Sequence, residues 1–99
     1  MAEVIWAVRA YEHLREIGEY IGKDSPFQAR RVVQLIMRET HRLEENIRIG
    51  PMIPEIREDS YRELKVFSYR IIYKILSDQQ AAIIGIVHGR RLLDRETIR

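Results

Sequence analysis

Between Tyr61 and His88 the chain carries three apolar runs, Tyr61–Phe67, Tyr69–Leu76 and Ala81–His88, with almost nothing between them. Ser68 alone separates the first two, and Ser77-Asp78-Gln79-Gln80 separates the second from the third. Turns this short join strands that run antiparallel, so the three runs form a meander. In the middle run Tyr69, Ile71, Tyr73 and Ile75 point one way, and Arg70, Ile72, Lys74 and Leu76 the other. In the last run Ile84, Ile86 and His88 share one face, with Ile83, Gly85 and Val87 opposite. Both runs are apolar on both faces near their centres, which predicts interior strands. Periodicity does not say which face the rest of the chain covers.

The N-terminal half supplies the covering layer. Glu3 to Trp6 reads as a short strand. Ala10, Leu14, Ile17 and Ile21 then follow helical spacing, with Glu12, Arg15, Glu16 and Glu19 on the other side. Gly22 suits the left-handed position that ends such a helix. Ser25 predicts an N-cap, Pro26 the first helical position, and Gln28 the third residue of a capping box. Ala29, Val33, Ile36, Thr40, Leu43 and Ile47 give the second helix its stripe, widened by Val32 and Leu35. Two helices joined by about four residues make an antiparallel hairpin. Asn46 to Asp59, with Gly50-Pro51 and Pro54, reads mostly as loop. The expected fold is α+β in two layers. A short N-terminal strand is followed by an antiparallel helical hairpin, packed on a mainly antiparallel sheet that the C-terminal meander completes.

Ninety-nine residues make a single domain, 1–99, able to fold without staples. With no cysteine there is no disulfide framework and no thiolate metal site, which fits a reducing cytoplasm. No apolar run approaches the ~20 residues of a membrane span. Nor does the N-terminus read as a signal peptide, because Glu3 and Arg9 interrupt it. Charge is uneven along the chain. Met1 to Asp59 holds nine Lys/Arg against eleven Asp/Glu, whereas Ser60 to Arg99 holds eight against four. A basic end of this kind attracts nucleic acid or an acidic protein surface.

Two positions stand out chemically. Arg70 sits mid-strand between Tyr69 and Ile71. It either pairs with Glu63 or another carboxylate to fix the sheet, or clamps a phosphate or carboxylate of a partner with its planar fork of donors. His88 closes the last strand and precedes Gly89-Arg90-Arg91. These are either a solvated strand end, or an acid/base imidazole beside two phosphate-holding arginines. His13, His41 and His88 are scattered, so no metal site is expected. No glycine-rich phosphate loop or nucleophile motif is present. Trp6 reads as core, and Arg30-Arg31 as snorkelling side chains on the second helix.

At these residues the chain resembles the RelE/ParE superfamily of toxins from type II toxin–antitoxin systems. Ile5-Trp6 followed by Ala10 and Leu14 is similar to the family's opening strand and helix. Asp24-Ser25-Pro26 followed by Ala29 resembles its interhelical turn. Arg62-Glu63-Leu64, Tyr69-Arg70-Ile71-Ile72-Tyr73 and His88-Gly89-Arg90-Arg91 resemble its three sheet motifs in order and spacing. The resemblance spans nearly the whole chain. It implies a toxin neutralised by a cognate antitoxin, a segment of which wraps the toxin by general peptide-binding modes.

The superfamily has two branches. RelE-like members cleave messenger RNA on the ribosome, and ParE-like members inhibit DNA gyrase. Attack of a 2′-hydroxyl on its phosphate needs a proton acceptor, a donor to the leaving oxygen and cations. Arg70 and Arg91 match basic positions of RelE-like sites, and His88 would be a substitute base. The tail tyrosine of those enzymes has no counterpart, since Thr97 stands there and no aromatic follows Leu92. The Asp-Ser-Pro turn and the His-Gly-Arg-Arg ending resemble the ParE side. The first expectation is therefore a gyrase inhibitor that is not an enzyme, with Arg62, His88, Arg90 and Arg91 as its target-binding residues. The second is a ribosome-dependent endoribonuclease using Arg70, His88 and Arg91. A third is an inert relative kept as an antitoxin sink. None of the three implies a cofactor or a membrane partner.

Overall fold

Two tight turns set the architecture of the computed structural model, which describes residues 1–89 and 91–94. β2 (Tyr61–Val66) turns through Phe67-Ser68 into β3 (Tyr69–Ser77), and β3 turns through Asp78-Gln79 into β4 (Gln80–His88). Phe67 takes a left-handed φ of 52°, a conformation that bulky residues rarely adopt. The N-terminal strand β1 (Glu3–Trp6) pairs parallel with the first half of β4, giving the order β1-β4-β3-β2. β3 and β4 are thus the interior strands, as their two-sided apolar pattern predicts. The sheet is mixed, with one parallel pair.

Helices α1 (Val8–Gly22) and α2 (Pro26–His41) form the hairpin on one face. Ser25 caps α2, its Oγ accepting from Gln28 N at 3.1 Å. The reciprocal half of the capping box is replaced, because Ser25 N–H donates to Ile21 O. Gly22 is not a left-handed cap. It lies inside α1, no glycine has a positive φ among the described residues, and Lys23 leaves the helix in right-handed geometry. The amides of Lys23, Asp24 and Ser25 all bond back to carbonyls of the last turn, so the chain reverses without a left-handed residue. The α2 stripe runs past the helix end, where Leu43 of a 3-10 turn (Arg42–Glu44) and Ile47 remain buried.

The face shared by Tyr69, Ile71, Tyr73 and Ile75 is the helix side. In β4 strict alternation fails. Ile72 pairs with Gly85 and Tyr73 with Ile83, so Ile84 is one extra residue in a β-bulge. Ile83 and Ile86 therefore both reach the helix-side core, while Ile84 and Val87 face the other way. The expected grouping of Ile84 with Ile86, and of Ile83 with Val87, is overturned by that single inserted residue.

The opposite face is covered as well, by the long loop 45–60. Ile53 and Ile56 from the loop and Leu93 from the tail pack on Ile72 and Val87 as a second apolar cluster. Full burial of such a side chain is worth roughly 1.5–3 kcal/mol, enough to hold a loop without regular structure. The loop is also stitched into the sheet. Ile53 N donates to Tyr61 O, Glu63 N to Pro51 O, and Met52 bridges Arg62. Gly50 lies so close to β2 that a Cβ there would collide with the Glu63 carbonyl oxygen. Beneath it the buried Tyr73 hydroxyl donates to Ile47 O at 2.8 Å and accepts from Gly50 N at 3.0 Å. Tyr73→Phe leaves both backbone groups buried and unpaired. It is expected to cost about 1–3 kcal/mol in urea denaturation, with the fold retained.

Candidate functional site

Arg70 and Glu63 face the loop side of the sheet at neighbouring positions of β3 and β2, and both are buried. Glu55 reaches the same guanidinium from the loop. Arg70 Nε donates to Glu63 Oε1 at 3.3 Å, and Nη2 to Glu63 Oε2 at 2.8 Å and to Glu55 Oε1 at 2.9 Å. Nη1 donates to Glu55 Oε2 at 2.8 Å and to the Arg91 carbonyl at 3.2 Å. A guanidinium has five N–H donors, and these bonds occupy all of them. Arg70 is the ion-paired sheet anchor of the first alternative, with a second carboxylate that sequence reading did not find. Glu55 carries no signal of its own in a Pro-containing loop, which explains why it was missed.

The pairing shifts both partners. The Arg70 guanidinium hydrogen-bonded to Glu55 holds that carboxyl down to about 2, and the same bond raises the arginine above its ordinary value. A phosphate could take this fork only by displacing a carboxylate already in place.

Arg62 has a comparable structural role. Nε donates to Asp59 O, Nη1 to Gly50 O and Nη2 to Asp59 Oδ1, between 2.6 and 2.9 Å. Asp59 also accepts from Arg48 at 2.7 Å, and these two arginines, Arg48 first, hold its carboxyl below the usual range. Arg62 thereby clasps both ends of the loop. It pairs with Tyr73, four positions along β2 from the Val66 that closes the hairpin, whereas His88 pairs with Tyr69 at that hairpin end.

His88 and Arg91 lie together at the exposed end of β4, where Arg91 N donates to His88 O at 3.0 Å. The His88 ring stands edge-on to Tyr69, with centroids 6.0 Å apart. Arg90 lies outside the described residues. The fold adds His13 of α1 to this end. His13, Tyr20, Tyr69, His88 and Arg91 surround a cleft of about 330 Å³. Beyond β1 the edge of β4 has no strand partner among the described residues, and α1 side chains bond to it. Arg9 Nε donates to Ile84 O at 3.4 Å, and His13 Nδ1 accepts from Ile86 N at 3.1 Å. Gly85 packs against this imidazole, and a Cβ there would lie at contact distance, 3.4 Å. The only sequence hint was the i, i+4 spacing of Arg9 and His13 beside the apolar stripe. Among the described residues no cluster of His, Cys, Asp and Glu could hold a metal ion.

With this geometry in view, comparison with known proteins shows the family. The family described as "ParE toxin of type II toxin-antitoxin system, parDE" matches residues 4–93. The chain belongs to the ParE family of type II toxins. Toxin RelE2 of Caulobacter vibrioides is 32% identical over 92 residues, covering 93% of this chain and all of the relative. A solved structure described as the chromosomal ParDE TA system from P. aeruginosa shares the fold. Its TM-score is 0.72 at 20% identity, over 89% of this chain and 96% of that one.

Two pH dependences follow for this ParE-family toxin. Glu55 is held down to about 2 in the folded state against 4.5 for the ordinary carboxyl. The folded protein therefore binds fewer protons than the unfolded chain between these values, and stability falls as pH drops from about 4.5 towards 2. Glu55→Gln removes that share of the acid transition in pH-dependent urea melts. His13 accepts a backbone N–H and is partly desolvated, and burial lowers its pKa below 6.5. Its stabilising share is complete above pH 6.5 and is lost as pH falls through the lowered value, so His13→Gln flattens the stability profile there.

Proposed function

We propose that this toxin acts by protein–protein contact on DNA gyrase in the cytoplasm, that a cognate antitoxin neutralises it, and that His88, Arg90 and Arg91 form the contact end. The carrying observation is the state of Arg70. All its donors are held by Glu55, Glu63 and the Arg91 carbonyl, so the mid-sheet cation that an RNA-cleaving site would direct at phosphate is already engaged. His88 and Arg91 are exposed at the strand end. The ParE family match and the absence of a tail tyrosine support the same reading. Arg62 contributes by holding the loop rather than by touching the target.

A ribosome-dependent endoribonuclease is the second reading, favoured by the name of the Caulobacter relative, Toxin RelE2. In it His88 would take the 2′-hydroxyl proton, and Arg91 would meet the phosphate charge.

Purified toxin is expected to block gyrase supercoiling of relaxed plasmid. Arg91→Ala and His88→Ala should each weaken inhibition about tenfold or more, as exposed contact anchors do. Full supercoiling at saturating wild-type toxin would overturn the gyrase reading. Toxin-dependent cuts in translated message, abolished by His88→Ala, would establish the second.

A further inference from the structure

We infer that Glu55 is the positioning residue for the basic C-terminal end, holding the backbone of residues 91–93 against the loop-covered face of the sheet so that Arg91 stands beside His88. The inference rests on the contact end proposed above. One carboxylate balances one guanidinium, and Glu63, more deeply buried than Glu55, already supplies it through two bonds to Arg70. Glu55 is thus surplus to charge balance. What it adds is a link that Glu63 does not make. Its Oε2 accepts from Arg70 Nη1 at 2.8 Å and from the Leu93 amide at 3.1 Å, joining the buried arginine to the tail.

The other tail contacts converge on the same place. Arg70 Nη1, oriented by Glu55, also donates to Arg91 O. The Leu93 side chain is buried in the cluster with Ile53, Ile56, Ile72 and Val87. Arg91 therefore has bonded backbone on both sides, to His88 before it and to Arg70 within it. Its side chain lines the cleft shared with His13 and His88. A long, flexible arginine makes a contact anchor only if its backbone is already ordered, because ordering it on binding costs affinity. Glu55 supplies that order from a distance and touches no target itself.

The test compares wild type with Glu55→Gln, Leu93→Ala and Tyr73→Phe. Glu55→Gln keeps the side-chain size and leaves Glu63 on Arg70, so the sheet remains folded. Leu93→Ala loosens the tail from its apolar side, and Tyr73→Phe destabilises the protein away from the tail. Three readouts are taken: trypsin cleavage after Arg91, the Leu93 amide proton shift, and growth arrest on induction without antitoxin. The first two variants should be cut about tenfold faster than wild type, as expected for a locally opened segment. The Leu93 amide should move upfield in Glu55→Gln, and growth arrest should weaken about tenfold in both. Tyr73→Phe should match wild type in all three below its melting temperature. The inference is overturned if Glu55→Gln leaves the amide shift and trypsin rate unchanged. It is equally overturned if the tail opens and growth arrest stays at the wild-type level. Growth arrest by wild type without gyrase inhibition would sink the gyrase reading alone, because the Glu55 comparison is scored on arrest and on the tail.

Discussion

A guanidinium buried against a sheet must be given acceptors, and in this protein that requirement ties a strand, a loop and the tail together. An unpaired buried charge costs several kcal/mol, so Arg70 is stable only with its neighbours in place. Glu63 comes with the adjacent strand. Glu55 comes from the loop and the Arg91 carbonyl from the tail. Around Glu55 and Arg91 neither segment is helix or strand among the described residues, and the apolar fastening there is Ile53, Ile56 and Leu93. Directional bonds to one buried cation give them register, which apolar packing alone does not specify. Removing Arg70 would leave two carboxylates facing each other beneath the loop, a worse outcome than losing any single bond.

The remaining fastenings lie at the other end of the loop. Arg62 and Arg48 meet on Asp59, Tyr73 holds Ile47 and Gly50, and Gly50 permits the close approach to β2. Arg62 and Tyr73 on the helix side and Arg70 on the opposite side thus hold the loop as it passes around the β2 edge from one sheet face to the other. The functional consequence concerns accessibility. Two of the three arginine motifs that give the sequence its family resemblance are used internally. Only the last, at the end of β4, places its described residues His88 and Arg91 at the surface. The contact mechanism proposed above needs no buried chemistry, only a scaffold that presents its end.

The legible parts of the sequence were those governed by local rules. Ser25-Pro26 with Gln28 marks the start of α2, and the single oxygen of Ser25 makes the expected bond. The short turns made the meander inevitable, and the two-sided apolar pattern of β3 and β4 placed them inside. Gly22 misled because glycine is also tolerated within a helix, and the amide bonds of residues 23–25 made a left-handed cap unnecessary. The bulge at Ile84 misled because one inserted residue reverses every side chain beyond it, and hydrophobicity on both faces hides the shift. At the site, Arg70, His88 and Arg91 could be picked out by their chemistry. Glu55 and His13 could not, because each matters through a partner distant in sequence: Leu93 and Arg70 for one, Ile86 for the other.

By itself, then, the sequence determined the element order, the antiparallel meander, the capped helical hairpin and the family, since all are written in short-range spacing and motif order. Only the tertiary structure decided which sheet face the helices cover, that β1 joins β4 in parallel, and that the mid-sheet arginine faces inward to two carboxylates. Those outcomes depend on competition among distant groups for the same surface and the same donors. A buried cation takes whichever acceptors the folded chain brings to it. Their identity is settled by where the loop and tail arrive, which no local pattern encodes.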